Sequence, residues 1–491
     1  MAQKAKRIVF CFDGTWDQLG NPWVYPTNVV LTAQSIEPRG ADDTSQIIHY
    51  DQGVGTAFAT RYVGGVFGFG VMGTIQAAYT FLVLNYEVGD DIFVFGFSRG
   101  AFTARAFIGM IRSVGILRRA DAEQIYLAVS TYKKRKKNED HDASKFLKFR
   151  LEHAPQVCMD KAEDDWRCRN QHGYVSGSNP ILKIRYLGLW DTVESVGIAQ
   201  GLLAPWIDIN KWLGIGQFFD ADLSDLVVKA RHALAIDEDR VVFAPTLWSN
   251  SEYLNASLGF NSESKEAPYQ QHWFPGGHGS VGGGGPVRGL SDEALDWVIT
   301  GARDAGLELD VTPGSQINSL FPDPLSPLNN LEGYKPNWKD KIGDFLMNLY
   351  CRPRVPGPSR VTQIDPSAIT RWRADADSLP EKKAYRPPTL ADVKPALDHL
   401  IATQKSDEPN YDPDAHPNPP TAAPTPGEFY KVVLRDVLST IAKRAYGDPS
   451  KYDEILKSNW QLLNGNADRI YPGQVLYVPR LMNSPGTGAP A

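Results

Sequence analysis

Ile92-Phe93-Val94-Phe95-Gly96-Phe97-Ser98-Arg99-Gly100-Ala101 decides the fold, because here a hydrophobic run meets a G-x-S-x-G motif and passes into a helix-compatible segment. A strand, a sharp turn and a helix in this order present a serine hydroxyl at a sheet edge as a nucleophile. Gly96 and Gly100 remove side chains that would collide with the backbone at such a turn. The stretch therefore predicts a nucleophile elbow carrying Ser98; a merely structural Gly-Ser turn is the alternative.

Short apolar runs alternate with longer amphipathic stretches over most of the chain. We predict strands at 7–12, 92–95, 181–189 and 272–274. We predict helices at 73–86, 101–114 and 292–305, the last with Ser291 as its N-cap. Most of these strands are apolar on both faces, as in a parallel sheet that is covered by helices. The alternation indicates an α/β fold with a mostly parallel sheet.

A serine nucleophile needs a histidine base and an acid that orients it, here in the chain order serine, acid, histidine. Asp191 follows a predicted strand, at the edge where open α/β sheets place catalytic groups; an ordinary loop or N-cap acid is the alternative. Among nine histidines, His278 stands in a glycine-rich loop after a short strand. His272 lies within that strand and His232 within a predicted helix at 231–238, where structural roles are expected. We therefore predict Asp191 as the acid and His278 as the base.

The predicted chemistry also needs amide donors for the oxyanion of the reaction. The helix after Ser98 points its N-terminal amides at that position, so the amide of Arg99 is the first candidate. The second donor is expected from an early loop. Gly14 and Thr15, directly after the first predicted strand, are the best candidates. This mechanism requires no metal and no cofactor.

Composition excludes several other classes of protein. The chain has 491 residues, 42% hydrophobic and 22% charged, which is a globular average and excludes disorder throughout. The formal charge of −6 makes nucleic acid an unfavourable partner. The four cysteines are too few and too scattered for a disulfide framework or for metal-ligand spacing. No P-loop lysine follows the glycines at 282–285, so nucleotide binding is the weaker use of that loop.

Targeting signals are sparse in this sequence. The basic N-terminus leads into an apolar run that is too short for a signal-peptide core, so we expect a cytoplasmic protein in the producing cell. Residues 62–86 carry no formal charge and are long enough to span a bilayer. A glycine-rich loop leading into a buried helix fits this stretch better than a membrane span does, because its first half holds five glycines.

The clearest boundary is a proline-rich linker at 405–427, in which seven of 23 residues are proline. It separates a large unit at 1–404 from a small one at 428–481, and a disordered tail is predicted at 482–491. Insertions are expected within the large unit at about 130–177 and 310–400. The first is charged, and we interpret its basic run at 133–137 as a solvated helical face.

Several motifs resemble a known family when taken together. They are Phe10-Cys11-Phe12-Asp13-Gly14-Thr15-Trp16, the stretch around Ser98, Leu187-Gly188-Leu189-Trp190-Asp191-Thr192-Val193 and Phe274-Pro275-Gly276-Gly277-His278, with further similarity at 233–238 and 385–388. They resemble the α/β-hydrolase catalytic domain of type VI secretion lipase effectors (Tle-type). The resemblance implies a triad of Ser98, Asp191 and His278 and esterase or phospholipase activity toward glycerophospholipids. Ser280 departs from the family, which usually has an aspartate there.

The C-terminal unit resembles a LysM domain from end to end. The pattern runs from Tyr430-Lys431-Val432 to Ile470-Tyr471-Pro472-Gly473-Gln474-Val475-Leu476-Tyr477-Val478-Pro479 and predicts a βααβ module. The resemblance implies binding of N-acetylglucosamine polymers such as peptidoglycan. Arg435-Asp436-Val437 replaces the usual Gly-Asp-Thr, so docking to a protein is kept as the alternative.

The motifs and the two resemblances converge on a serine ester hydrolase, a lipase or phospholipase, that a LysM module directs to the cell wall. A deacylase or amidase acting on wall-linked substrates is one alternative. A catalytically inactive binding protein with a hydrolase fold is another. The resemblance also implies secretion by a type VI system into the periplasm of a target cell, with a secretion spike and an immunity protein as possible partners.

Overall fold

A six-stranded parallel sheet forms the centre of the protein, with strand order β2-β1-β3-β4-β5-β6. The computed structural model describes residues 5–14, 25–53, 67–136, 139–193, 222–240, 243–312, 315–330, 357–404, 424–432, 436, 438–459, 463, 467, 470 and 475–481. The strands are β1 Arg7–Phe12, β2 Gln46–Asp51, β3 Asp91–Phe97, β4 Ile184–Trp190, β5 Ala230–Ala235 and β6 Tyr269–Phe274. The predicted α/β fold with a parallel sheet is confirmed.

Helices cover both faces of this sheet. They are α1 Asn28–Ser35, α2 Phe67–Asn85, α3 Arg99–Val114, α4 Ile125–Lys133, α5 Ser144–His153, α6 Lys161–Asn170, α7 Ser251–Ser257, α8 His278–Gly282, α9 Gly289–Asp304, α10 Pro366–Arg373 and α11 Lys394–Gln404. The alternation of side chains along β1 shows the two layers. Phe10 packs in the core that contains α2 and α3, and Val9 packs in the core that contains α1 and α9. Both are fully buried, as expected for a strand covered on both faces.

The structure corrects the prediction of a helix at 231–238, because β5 lies there. Its sequence, ARHALA, is rich in helix-forming alanine and leucine, but pairing with β4 and β6 overrides this weak preference. The N-cap prediction for Ser291 is also wrong. Helix α9 begins at Gly289, and the Ser291 hydroxyl donates to the Arg288 carbonyl at 3.0 Å.

The stretch predicted as an insertion at about 130–177 is built around buried charges. Arg150, Glu163 and Arg167 have no exposed side-chain surface, and Glu163 accepts from Arg150 at 2.9 Å and from Arg167 at 2.6 Å. Arg135, within the basic run at 133–137, is buried as well, so the prediction of a wholly solvated face is wrong there. Arg150, Glu163 and Arg167 tolerate burial because they are paired and hydrogen-bonded with one another.

The uncharged stretch at 62–86 forms a core helix over its described part. Residues 62–66 lie outside the described residues, and α2 buries Ile75, Tyr79 and Leu82 completely. Within the described part of the chain, no one helix combines the length and apolarity needed to cross a bilayer. The pair formed by Arg99–Val114 and Arg119–Lys133 meets that test jointly, with a bend of 110°.

A small second sheet belongs to the C-terminal module. Its elements are β7 Glu428–Lys431, α12 Leu438–Tyr446, α13 Tyr452–Ser458 and β8 Val475–Val478, with β7 and β8 antiparallel. The Asn459 side chain connects α13 to β8, because it donates to the Tyr477 carbonyl at 2.8 Å and accepts from the Tyr477 amide at 2.9 Å. The predicted βααβ order is confirmed. The linker at 405–423 and the tail at 482–491 lie outside the described residues, and their predicted character stays a prediction.

Candidate active site

Ser98 lies on a strained turn between β3 and α3. Its backbone has φ 58° and ψ −123°, a conformation that non-glycine residues rarely adopt and that often marks functional sites. The flanking glycines are needed for close backbone approach. A Cβ on Gly96 would fall 2.6 Å from the Cα of Ala101, and a Cβ on Gly100 would overlap the backbone of Phe12. The turn is therefore pressed against the end of β1, with the serine at the carboxyl edge of the sheet.

The three side chains predicted from separate motifs form one hydrogen-bonded chain. The Oγ of Ser98 lies 2.8 Å from Nε2 of His278, and Nδ1 of His278 lies 2.7 Å from Oδ2 of Asp191. Their residues are 6%, 7% and 0% exposed, respectively. This geometry suits transfer of the serine proton to the imidazole, with the carboxylate holding the ring in one tautomer.

Asp191 is held by the strand that the sequence analysis missed. Its amide donates to the Ala233 carbonyl at 2.7 Å, and its Oδ1 accepts from the Ala235 amide at 3.1 Å. The residue has φ 36°, which places it at the sharp end of β4. Because β5 fixes both the backbone and one carboxylate oxygen, the other oxygen faces His278.

His278 is the first residue of α8, whereas a glycine-rich loop was predicted. Its amide donates to Oε2 of Glu238 at 3.1 Å. The ring of Phe97 packs against the imidazole with 4.7 Å between centroids. This contact depends on Gly282, since a Cβ there would overlap the Phe97 ring. The imidazole is thus fixed through both its backbone and its ring.

Of the three predicted oxyanion donors, Arg99 and Gly14 lie among the described residues. Arg99 begins α3, so its amide lies at the helix N-terminus beside Ser98, and burial lowers the pKa of its side chain to about 10. Gly14 follows β1, and its amide donates to Oδ1 of Asp13 at 2.7 Å. Thr15 lies outside the described residues. The roles of all three amides stay predictions.

Asp13 is a buried acid that the sequence analysis did not single out. Its carboxylate accepts from the hydroxyls of Tyr50 at 2.6 Å and Thr27 at 2.8 Å, in addition to the Gly14 amide. Burial raises its pKa to about 6 despite these hydrogen bonds. Its position directly after a strand, at the same sheet edge as Ser98, is the signal that would have identified it.

The chain beyond α9 supports the loop that carries His278. The Asp237 carboxylate accepts from the Gly276 amide and from the Tyr385 hydroxyl, both at 2.7 Å, and burial raises its pKa to about 6. Ser280, where the family was expected to have an aspartate, donates instead to the Leu328 carbonyl at 2.6 Å. The departure at Ser280 therefore keeps a hydrogen-bonded support for the histidine segment.

No group of three or more His, Cys, Asp or Glu side chains within the described ranges has the arrangement of a metal site. Cys11, Cys158 and Cys168 are free thiols, and Cys351 lies outside the described ranges. Burial raises the pKa of the Cys11 thiol far above its ordinary value, so this thiol is unreactive. Ser98 is the nucleophile candidate that lies on a strained turn and contacts a histidine that is itself bound to a carboxylate.

A parallel sheet with helices on both faces and a serine on a strained strand-turn-helix define an α/β-hydrolase-like protein. Residues 6–301 match the family model described as "T6SS, Phospholipase effector Tle1-like, catalytic domain". The match spans more than half of the chain, and the chain belongs to this family. Residues 430–479 match the LysM domain model, so the C-terminal module is a LysM domain.

Two curated proteins are similar to parts of the chain. Uncharacterized protein YEL023C of Saccharomyces cerevisiae is 27% identical over 268 residues, which are 52% of this chain and 34% of that protein. Potassium binding protein Kbp of Escherichia coli is 45% identical over 60 residues, 12% of this chain and 40% of that protein. The chain thus spans well under half the length of either curated relative.

Two solved structures are also similar to the chain. One is the Tle1 effector bound to the VgrG spike of the type 6 secretion system, with a TM-score of 0.30, 20% identity and coverage of 57% of this chain and 51% of that one. The other is an uncharacterized protein from Pseudomonas aeruginosa, with a TM-score of 0.38, 16% identity and coverage of 96% and 75%. Both likenesses are distant.

Proposed function

We propose that the protein is a serine hydrolase that cleaves carboxylic esters of glycerophospholipids. The observation that carries the proposal is the hydrogen-bonded chain from Ser98 through His278 to Asp191, at the carboxyl edge of a parallel sheet. The family description, a phospholipase effector, supports the choice of lipid as substrate.

In the proposed reaction, Ser98 transfers its proton to Nε2 of His278 and its Oγ forms a bond to the ester carbonyl carbon. The carbonyl oxygen takes the negative charge, facing the amide of Arg99 and a second donor from Gly14 or Thr15; the Gly14 amide would have to leave Asp13 to serve this role. His278 then returns the proton to the departing alkoxide as the ester bond breaks. Water repeats the sequence on the acyl-enzyme and releases a fatty acid. Asp191 stabilises the imidazolium at both steps.

The proposal predicts products that separate it from its two rivals. We expect fatty acid release from a glycerophospholipid panel and covalent labelling of Ser98 by a fluorophosphonate, identified by peptide mass spectrometry. Product release from purified peptidoglycan, without fatty acid release from lipid, would favour a deacylase or amidase that acts on wall-linked substrates. A folded protein that neither reacts with the fluorophosphonate nor hydrolyses lipid would indicate an inactive binding protein.

We further propose that the LysM domain binds N-acetylglucosamine polymers of the cell wall. The LysM family match supports this proposal. Asp436, in the loop that departs from the usual Gly-Asp-Thr, accepts from the Tyr430 hydroxyl at 2.8 Å and pairs with Arg444. These contacts join Asp436 to β7 through Tyr430 and to α12 through Arg444.

Removing 424–491 should abolish sedimentation with purified peptidoglycan sacculi while leaving hydrolysis of a soluble ester unchanged. The reason is that glycan binding and catalysis are assigned to separate modules. Full-length protein carrying Ser98→Ala is the matched control, since it should sediment normally. Retention of sedimentation after the deletion would contradict the assignment of wall binding to the LysM domain.

Passage through a type VI secretion system into the periplasm of a target cell is proposed from the family description alone. A secretion spike and an immunity protein are the partners that this route implies. An adjacent spike or immunity gene, and loss of secretion in a strain whose type VI sheath is inactivated, would support it. Secretion that continues in that strain would contradict it.

A further inference from the structure

Glu238 holds the backbone of His278 from a buried position. The residue is 3% exposed, and its Oε2 accepts from the His278 amide at 3.1 Å. Arg240 binds the same carboxylate as a fork, with Nε on Oε1 at 2.6 Å and Nη2 on Oε2 at 2.7 Å. A bidentate arginine fixes a carboxylate in orientation as well as in charge. The acceptor for the His278 amide is therefore held in place by Arg240.

Arg240 also reaches the ring of the base by a second route. Its guanidinium lies 4.3 Å from the centroid of the Phe243 ring, which is cation–π distance. The Phe243 ring in turn packs against the His278 imidazole with 4.6 Å between centroids. One arginine side chain thus supports both a group that binds the backbone of His278 and a group that packs against its ring.

We infer that Arg240 is a positioning residue for the base, because it holds Glu238 under the His278 amide and Phe243 against the His278 imidazole. The inference rests on the proposed function, since it assigns a role relative to His278 as a base. Arg240 does not touch the reacting atoms in this arrangement. Its effect is to keep Nε2 of His278 in line with the Ser98 hydroxyl, where small displacements cost large factors in rate.

The charges around the imidazole sharpen this role. Among the described residues, the Asp191 carboxylate faces Nδ1 of His278, and the Glu238 carboxylate, paired with Arg240, accepts from the His278 amide. Burial alone would raise the pKa of Glu238, but Arg240 and His278 lower it below its ordinary value. Glu238 is therefore a carboxylate at neutral pH, the form that both binds Arg240 and accepts from the His278 amide.

The test compares Arg240→Met, Arg240→Lys, Glu238→Gln and the double variant of Arg240→Met with Glu238→Gln, on a chromogenic short-chain ester. We expect Arg240→Met to lower kcat by about 10²-fold with little change in KM, and Arg240→Lys to recover part of the loss, because lysine keeps the charge without the fork. Glu238→Gln should lower kcat by a smaller factor, because glutamine keeps an oxygen that can accept from the His278 amide but loses the charge that binds the Arg240 fork. The double variant should lose less than the product of the two single losses.

Arg360→Met is the matched control, because Arg360 also pairs with glutamates, with Glu252 at 2.5 Å and with Glu263 at 3.5 Å. This substitution should leave kcat unchanged. Circular dichroism identifies any variant that fails to fold, and if Arg240→Met does not fold, Glu238→Gln carries the test through its kcat. Wild-type kcat in folded Arg240→Met or in folded Glu238→Gln would overturn the inference. A wrong proposal about the function would give a different result: the wild-type protein would not hydrolyse the ester, or Ser98→Ala would hydrolyse it fully.

Discussion

Ser98→Ala is expected to lower kcat for ester hydrolysis by about 10⁶-fold, the loss seen when a serine nucleophile of this kind is removed. The hydroxyl lies 2.8 Å from Nε2 of His278, and without it no acyl-enzyme can form. A small residual rate should survive, because oxyanion donors and substrate binding act without the nucleophile. The measurement is single-turnover and steady-state hydrolysis of a glycerophospholipid, with fatty acid release as the readout.

Ser113→Ala is the matched control for this prediction. Ser113 is a buried serine within α3 whose hydroxyl also lies beside a histidine ring, with 2.7 Å between its Oγ and Nδ1 of His141. It lies near the end of α3 that is remote from Ser98, so its variant should retain wild-type kcat. Equal losses in the two variants would point to general destabilisation, and full activity in Ser98→Ala would refute the assignment of the nucleophile.

Ser98, Asp191 and His278 could be predicted as neighbours because each lies in a motif that can be recognised from a short stretch of sequence. The elbow around Ser98 requires a strand, two glycines and a helix in one short stretch, so its geometry can be read without any tertiary information. Asp191 and His278 each follow an apolar run, and parallel strands bring such positions to one sheet edge. The structure places all three within hydrogen-bond reach, while their catalytic roles stay proposals.

The features that the sequence analysis missed depend on distant partners. The residues of β5 look helical by composition, and only their neighbours on both sides turn them into a strand that holds Asp191. The charges of Arg150 and Glu163 look solvated until their pairing is known. Glu238 and Arg240 lie two residues apart, but their importance appears only when His278 folds against them. Pairing across long sequence separations carries no local signature.

The site and the sheet depend on one another at the end of β1. Asp13 follows β1 and is fixed by Tyr50 of β2 and Thr27 at the start of α1. The backbone of the same segment touches the elbow at Gly100. The strained turn at Ser98 is therefore stabilised by packing against the end of a neighbouring strand.

Gly100→Ala tests this dependence and should lower the free energy of unfolding by about 3 kcal/mol. A Cβ at this position would lie 2.5 Å from the Asp13 carbonyl oxygen and closer still to that of Phe12, and backbone cannot yield as a flexible side chain does. The helix preference for alanine returns at most about 1 kcal/mol. Urea unfolding followed by tryptophan fluorescence measures the change.

Gly73→Ala is the control for this prediction. Gly73 lies exposed in α2, and an added Cβ would have nothing within 4 Å, so the substitution should be neutral or stabilising. Equal midpoints for the two variants would contradict the close approach of β1 to the elbow.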